Sequence, residues 1–252
     1  MSRTAGWSAF FDGRHWQLAN DTIGVLRQHV SVSGLRHGYT NQTRRLPGGL
    51  VEKRYEGSGA IERAVRETVC LSHLAELLPV PAVIDRDLSS KAVTLGLVRG
   101  VHGQDRIDAG HARDVLGLLG SLAGRLQSLA VDAVPGLPGD GSVIVHGDFG
   151  PQNVLIDGGE VSALLDWEFA HVGEPVEDPA WAEWIVRMHH PDHHDSLTVL
   201  YESAGVNFTW TQRQASMVLR CEALLDDAER TGSPDLTATW RSRLRTTQRW
   251  RE

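Results

Sequence analysis

The chain has 252 residues with a hydrophobic fraction of 41% and a charged fraction of 23%, enough for a sizeable core in one large domain or two smaller ones. No apolar run approaches the ~20 residues of a membrane span, and the N-terminus lacks a charged-then-apolar signal pattern, so a cytoplasmic protein is expected. A net charge of −7 argues against nucleic acid as a partner, and Cys70 and Cys221 make neither a disulfide framework nor a metal motif. Charge is unevenly spread. Residues 1–80 carry ten Lys+Arg against seven Asp+Glu, whereas residues 166–202 carry nine Asp+Glu against Arg187 alone. The first stretch suits a polyanion, and the second suits a cationic ligand or a solvated helical surface.

In chain order, Trp7, Phe10, Phe11 and Trp16 read as packing, followed by a short helix over 22–29. Val30–Leu35 alternates as a strand. A loop holding Gly38, Thr40 and Asn41 follows, then a second strand ending at Leu46 and the Pro47-Gly48-Gly49 turn. Gly38 would let the backbone approach a phosphate, with Thr40 and Asn41 as donors. Leu50–Tyr55 is the third strand, and the period of two puts Val51, Lys53 and Tyr55 on one face. An inward lysine needs a partner. Lys53 is one of two lysines, with Lys91, in a chain that otherwise writes its positive charge as arginine; a point-charge ammonium fits a phosphate contact.

Residues 59–78 have helical spacing and end at Pro79 and Pro81. Glu67 lies mid-helix between Arg63 and Arg66, placed either for local pairing or for holding Lys53. Residues 82–86 and 91–98 read as a hairpin, and 99–103 as a Gly-punctuated linker. Ala109–Ala130 is a long helix with Val115, Leu116, Leu119, Leu122 and Leu126 on one face.

The stretch Val143–Trp167, VIVHGDFGPQNVLIDGGEVSALLDW, organises the rest. Three short apolar runs, Val143–Val145, Val154–Ile156 and Val161–Leu165, read as buried strands with His146, Asp148, Asn153 and Asp166 at their ends. Asp-x-x-x-x-Asn is either a turn sequence or a metal-phosphate site, in which one carboxylate takes a hydroxyl proton and an amide oxygen and a second carboxylate ligate Mg²⁺. Beyond it, Asp178 either caps the helix over 180–188 or braces the catalytic loop, with the cap as the simpler reading. His189, His190, His193 and His194 form a dense group whose spacing fits no standard zinc site. Residues 212–230 and 234–250 read as further helices.

Taken together these motifs resemble the aminoglycoside phosphotransferase family, within the wider protein-kinase-like fold. His146-Gly-Asp148-Phe-Gly-Pro-Gln-Asn153 is similar to its catalytic loop and Leu165-Asp166-Trp167-Glu168 to its metal-binding segment. Gly38-Tyr-Thr40-Asn41 resembles its phosphate loop, Val51-Glu-Lys53 its strand lysine and Arg66-Glu67 its helix glutamate, in order over roughly 30–190. The chain departs from protein kinases in having one phosphate-loop glycine, Trp167-Glu168 in place of Phe-Gly, and no Ala-Pro-Glu segment. The resemblance implies an α+β, two-lobed fold: a small antiparallel-sheet nucleotide lobe over 1–98, a linker at about 99–104, and a larger, mainly helical catalytic and substrate lobe over 99–252.

It also implies transfer of the ATP γ-phosphate to a hydroxyl of a small molecule. Asp148 would be the catalytic base, Asn153 and Asp166 the Mg²⁺ ligands, and Lys53, positioned by Glu67, the phosphate contact with Gly38, Thr40 and Asn41. His146 would brace the loop. Glu168, Glu174, Glu177, Glu183 and the Glu222, Asp226 and Asp227 group fall in the region where an amine-bearing substrate would bind. An aminoglycoside or other antibiotic competes as acceptor with metabolites of the choline, sugar or homoserine type. Two rival readings are a non-catalytic nucleotide-binding module and a metal-dependent hydrolase using His146, Asp148 and the His189–His194 group. A monomer or dimer is expected, with no membrane partner.

Overall fold

A computed structural model describes residues 41–57 and 59–252. The expected helix over 22–29, the strand over 30–35, and Gly38 and Thr40 lie outside the described residues. The chain divides into two compact units, one of residues 1–64, 83–97 and 218–250, the other of 65–82, 98–217 and 251–252. The units are interleaved in sequence, so helix-forming segments from the far end of the chain belong with the first sheet.

The first unit holds a four-stranded antiparallel sheet in the order β1-β2-β4-β3, built from β1 (Asn41–Leu46), β2 (Leu50–Tyr55), β3 (Val83–Asp87) and β4 (Ala92–Gly96). Gly48 at φ 79° and Gly49 at φ 73° close the β1–β2 turn, a backbone that side chains disfavour. Arg44 lies opposite Glu52 in register, and its Nε donates to Glu52 Oε1 at 2.8 Å. The alternation expected of β2 is observed: Val51, Lys53 and Tyr55 are its buried residues. Asp87 ends β3 by accepting from the hydroxyls of Ser89 and Ser90 in an exposed turn.

Helix α1 (Ala60–Leu74) is shorter than the sequence predicts. The Leu74 carbonyl accepts from both Leu77 N and Leu78 N at 2.9 Å. That shared acceptor tightens the end into a turn several residues before Pro79.

In the second unit the expected linker is an ordered element. β5 (Val101–His102) pairs antiparallel with β7 (Val154–Asp157), which pairs in turn with β8 (Glu160–Leu164). Gly103 then opens helix α2 (Gly103–Asp108), where a Cβ would stand 2.8 Å from Pro151 O. β6 (Val143–Val145) pairs with β9 (His171–Gly173) instead of β7. All three apolar runs are therefore strands, and the chain between them carries the polar residues of interest.

Helix α3 (Ala112–Gln127) buries Val115, Leu116, Leu119, Leu122 and Leu126, the face its spacing predicts. Against it packs α5 (Leu197–Ala204) at a distance set by glycine: a Cβ on Gly120 would meet Leu200 O at 2.2 Å, and one on Gly124 would meet Ala204 O at 2.8 Å. Helix α4 (Glu177–His189) follows β9 after a short turn. Helices α6 (Trp210–Arg230) and α7 (Pro234–Arg249) complete the chain, the latter with Ser233 as its N-cap. The small antiparallel sheet and the larger helical remainder make an α+β fold, as expected. Among the described residues no helix is long and apolar enough to cross a membrane.

Candidate functional site

The loop joining β6 to β7 is shaped by its backbone. Gly147 has φ 84°, and a Cβ there would come 2.3 Å from Phe169 O, so the His-Gly-Asp sequence needs its glycine for both conformation and space. The N–H groups of His146 and Gly147 point at one buried carboxylate: Asp178 Oδ2 accepts from His146 N at 2.7 Å and Oδ1 from Gly147 N at 3.1 Å. Asp178 therefore braces the loop. Its expected capping role is corrected: the N-cap position of α4 is Val176, and Asp178 lies inside the helix. Burial pushes the Asp178 carboxyl above its ordinary range, opposed by the backbone N–H donors of His146 and Gly147.

His146 is fully buried and committed at both ring nitrogens. Nε2 lies 2.7 Å from Leu165 O, and Nδ1 accepts from Asp148 N at 3.2 Å, a pattern that fits imidazole with its proton on Nε2. Edge contacts with Trp167 at 4.8 Å and Phe149 at 6.1 Å fix the ring plane. His146 thus ties the β6 end of the loop to the segment entering Asp166.

Asp148 is partly exposed, and its carboxylate is held from two sides. Asn153 Nδ2 donates to Asp148 Oδ2 and to Asp148 O, both at 2.8 Å, while Trp181 Nε1 donates to Oδ1 at 3.1 Å. Because the Asn153 nitrogen is used by Asp148, its amide oxygen is the group left to face a ligand. Asp166 follows β8 in a left-handed conformation, φ 62° and ψ 56°, which Asp tolerates better than most residues but still at a cost. Trp167 locks the next turn by donating to Leu164 O at 3.0 Å. Asp148, Asn153 and Asp166 therefore sit on one segment fastened by His146 and Asp178. The Asn153 amide oxygen and the Asp166 carboxylate are hard donors of the type Mg²⁺ takes when one or two protein ligands are completed by phosphates and water. Among the described residues no group of three or more His, Cys, Asp and Glu is arranged to hold a metal.

The remaining expected residues are dispersed over both units. Lys53, in the first unit, is 4% exposed with Nζ 5.0 Å from the Tyr55 ring centroid. Asn41 is buried at the start of β1. Glu67 is buried in the second unit, beside Cys70, whose thiol is pushed up to about 12 by burial and then by the Glu67 charge. Arg66 Nη1 donates to Glu168 O at 2.9 Å and so ties α1 to the Trp167–Phe169 turn.

The acidic candidates separate. Glu168 is buried. Glu177 meets His171 Nε2 at 3.0 Å and accepts from Glu174 N at 2.7 Å, and Glu174 is exposed. Glu183, expected among the substrate carboxylates, is instead 0% exposed, its charge met by Arg187 Nε at 2.7 Å and Arg213 Nη1 at 2.8 Å, with Tyr201 Oη also bonded to it. It is a core group. Asp227, also expected there, is buried against Arg230, whereas Glu222 and Asp226 are exposed; all three belong to the first unit. In the histidine group, His190 bonds to Gln104 and lies 3.5 Å from Asp108, and burial lowers its pKa. Trp181 is the residue that pattern reading misses, since an indole on a helix face reads as packing.

Residues 133–196, spanning this loop, match the model of the phosphotransferase enzyme family. The likeness to that family is carried by this segment. Over 49 residues the chain is 39% identical to hygromycin-B 4-O-kinase of Escherichia coli, covering 18% of this chain and 14% of that protein. Over 55 residues it is 44% identical to viomycin phosphotransferase of Streptomyces vinaceus, covering 20% and 18%. These matches span less than a fifth of either relative. The fold agrees over a much longer stretch: the GDP complex of wild-type aminoglycoside 2'-phosphotransferase-IIIa superposes with a TM-score of 0.72 at 14% identity, covering 90% of this chain and 95% of that one. The likeness in fold extends well beyond residues 133–196.

Proposed function

We propose that the protein is an ATP-dependent phosphotransferase that moves the γ-phosphate to a hydroxyl of a small molecule. The observation that carries this reading is the Asp148 carboxylate, partly exposed and held by Asn153 and Trp181 on a family-matched loop.

Asp148 orients the acceptor hydroxyl and receives its proton late, because the transition state is loose. As the hydroxyl oxygen bonds to the γ-phosphorus, the bond from that phosphorus to the β–γ bridging oxygen breaks, and ADP leaves with the electron pair. Asn153 and Asp166 would hold Mg²⁺, which when bound neutralises phosphate charge. His146 and Asp178 keep the loop backbone fixed while this happens. Lys53, Glu67 and Asn41, with Gly38 and Thr40, are the residues we assign to the nucleotide phosphates, in keeping with a functional division into residues 1–98 and 99–252. The fold neighbour's GDP supports a nucleotide donor.

Both matched relatives are named for hygromycin B and viomycin, which favours an antibiotic of that kind over a choline, sugar or homoserine type of metabolite. Glu168 and Glu177 remain the proposed substrate-side carboxylates. ATP consumption across a panel that includes hygromycin B, viomycin and those metabolites tests the class. Asp148→Asn should lower turnover by at least ~10³-fold while nucleotide affinity stays within about twofold. Retained turnover would remove Asp148 from its assigned role, and activity without nucleotide would favour a hydrolase.

A further inference from the structure

Helix α4 presents two loop-holding groups three residues apart, and therefore on one face. Asp178 takes the backbone of His146 and Gly147, and Trp181 takes the side chain of Asp148. Trp181 is 5% exposed, and its ring is stacked on Trp184, three residues further along, with centroids 4.5 Å apart and planes 8° from parallel. Trp184 is itself 2% exposed and meets His189 edge-on at 5.8 Å. The indole is closely packed, and its N–H is bonded to Asp148 Oδ1. From the opposite side Asn153 Nδ2 holds the other oxygen, Oδ2.

Two donors on two different oxygens restrain rotation of the carboxylate about Cβ–Cγ more tightly than one donor does. We propose that Trp181 is a positioning residue of the phosphoryl transfer, its indole N–H fixing the plane in which Asp148 meets the acceptor hydroxyl. This rests on the phosphotransferase reading above. Asn153 shares its nitrogen between Asp148 O and Oδ2, so it holds one edge of the carboxylate, and Trp181 holds the other. A neutral donor suits the task. An arginine or lysine in the same place would hold the carboxylate as firmly but would also favour its charged form and oppose proton uptake. The indole N–H is a donor only, so it cannot compete for the proton.

Three full-length variants test the assignment. Trp181→Phe removes the N–H and keeps most of the ring, and Trp184→Phe removes a similar volume from the same stack without touching Asp148. With ATP and whichever of hygromycin B or viomycin the unaltered protein turns over, Trp181→Phe should lower kcat roughly tenfold, the effect of losing one hydrogen bond to a charged group. KM for ATP should stay within about twofold, and Trp184→Phe should keep kcat within about twofold. Equal kcat in the two variants overturns the positioning role, because packing alone would then explain both.

A second measurement needs no turnover. The indole ¹H–¹⁵N resonance that disappears in Trp181→Phe should shift clearly in Asp148→Ala, where its acceptor is gone. A resonance that stays in place shows that the bond to Asp148 does not exist and overturns the proposal on geometry. A shift combined with no nucleotide-dependent transfer to any acceptor leaves the bond intact and instead overturns the phosphotransferase reading and the positioning role that rests on it.

Discussion

Five residues apart on helix α4, Asp178 and Glu183 are both buried carboxylates, and the molecule deals with them in opposite ways. Asp178 meets two backbone N–H groups, His146 and Gly147, and its pKa is pushed up by burial. Glu183 meets two guanidiniums, Arg187 and Arg213, with Tyr201 as a further donor. Burial is the dominant influence on Tyr201, raising its pKa, and the Glu183 charge acts in the same direction. Backbone donors hold a loop in one conformation, whereas cations join helices. The first arrangement shapes the loop; the second joins α4, α5 and α6. Arg187 and Arg213 are also stacked on Trp210 at 4.6 and 5.3 Å, which anchors the start of α6 to the same cluster.

The comparison can be broken most forcefully at Glu183. Glu183→Ala leaves Arg213, 8% exposed, without its main counter-charge, and should cost ~3–5 kcal/mol in the denaturant midpoint. A cost below ~1 kcal/mol would mean that the cluster is better solvated than its burial implies. Asp178→Asn is expected to be milder, because an amide oxygen can still accept one of the two N–H bonds: ~1–3 kcal/mol of stability for the N–H left without an acceptor.

The pH dependence sharpens the contrast. A carboxyl with a raised folded pKa stabilises the fold fully below its unfolded pKa, and that contribution is lost as pH rises through the folded value. The stability gap between the unaltered protein and Asp178→Asn should therefore narrow as pH climbs above the ordinary Asp range. A gap that widens with pH would mean that the backbone donors outweigh desolvation. The smallest effect is expected at Asp87, the exposed counterexample, whose carboxyl is lowered to about 2 by the Ser89 and Ser90 hydroxyls. A carbon-13 titration should find it protonating near that value, and in Ser89→Ala/Ser90→Ala it should return toward the ordinary range. Its contribution to folding, present above the unfolded pKa, is lost only as pH falls through about 2.

Local order carries most of what the sequence makes legible. The three strands of the Val143–Trp167 stretch are short apolar runs bounded by turn residues, and Lys53 falls on the buried face that alternation predicts. What pattern reading misses depends on partners brought from a distance. Asp178 reads as a cap because its sequence neighbours are a helix start, yet its acceptors are spent on residues 31 and 32 positions earlier. Glu183 reads as one more acidic candidate because Arg213 is 30 residues away. Trp181 reads as core, and mostly is: the one N–H that distinguishes it leaves no trace in a hydrophobic pattern. The expected linker over 99–103 adjoins the division between the units at Leu97 and Val98, and it is ordered. Glycine punctuation signals a break, but Gly100 and Gly103 are there because β7, β8 and the loop pass too close for a side chain.

Asp166 holds its left-handed backbone without being glycine. A residue type chosen for fold economy would be different at this point on the chain. Asp166→Gly should relieve roughly 1 kcal/mol of backbone strain and raise the melting temperature, while removing the carboxylate assigned to the metal and with it turnover. Selection for thermal robustness alone, in a library screened without an activity gate, would therefore drift toward glycine here, and an inactive protein that melts later than its parent would be the sign that this trade had been made.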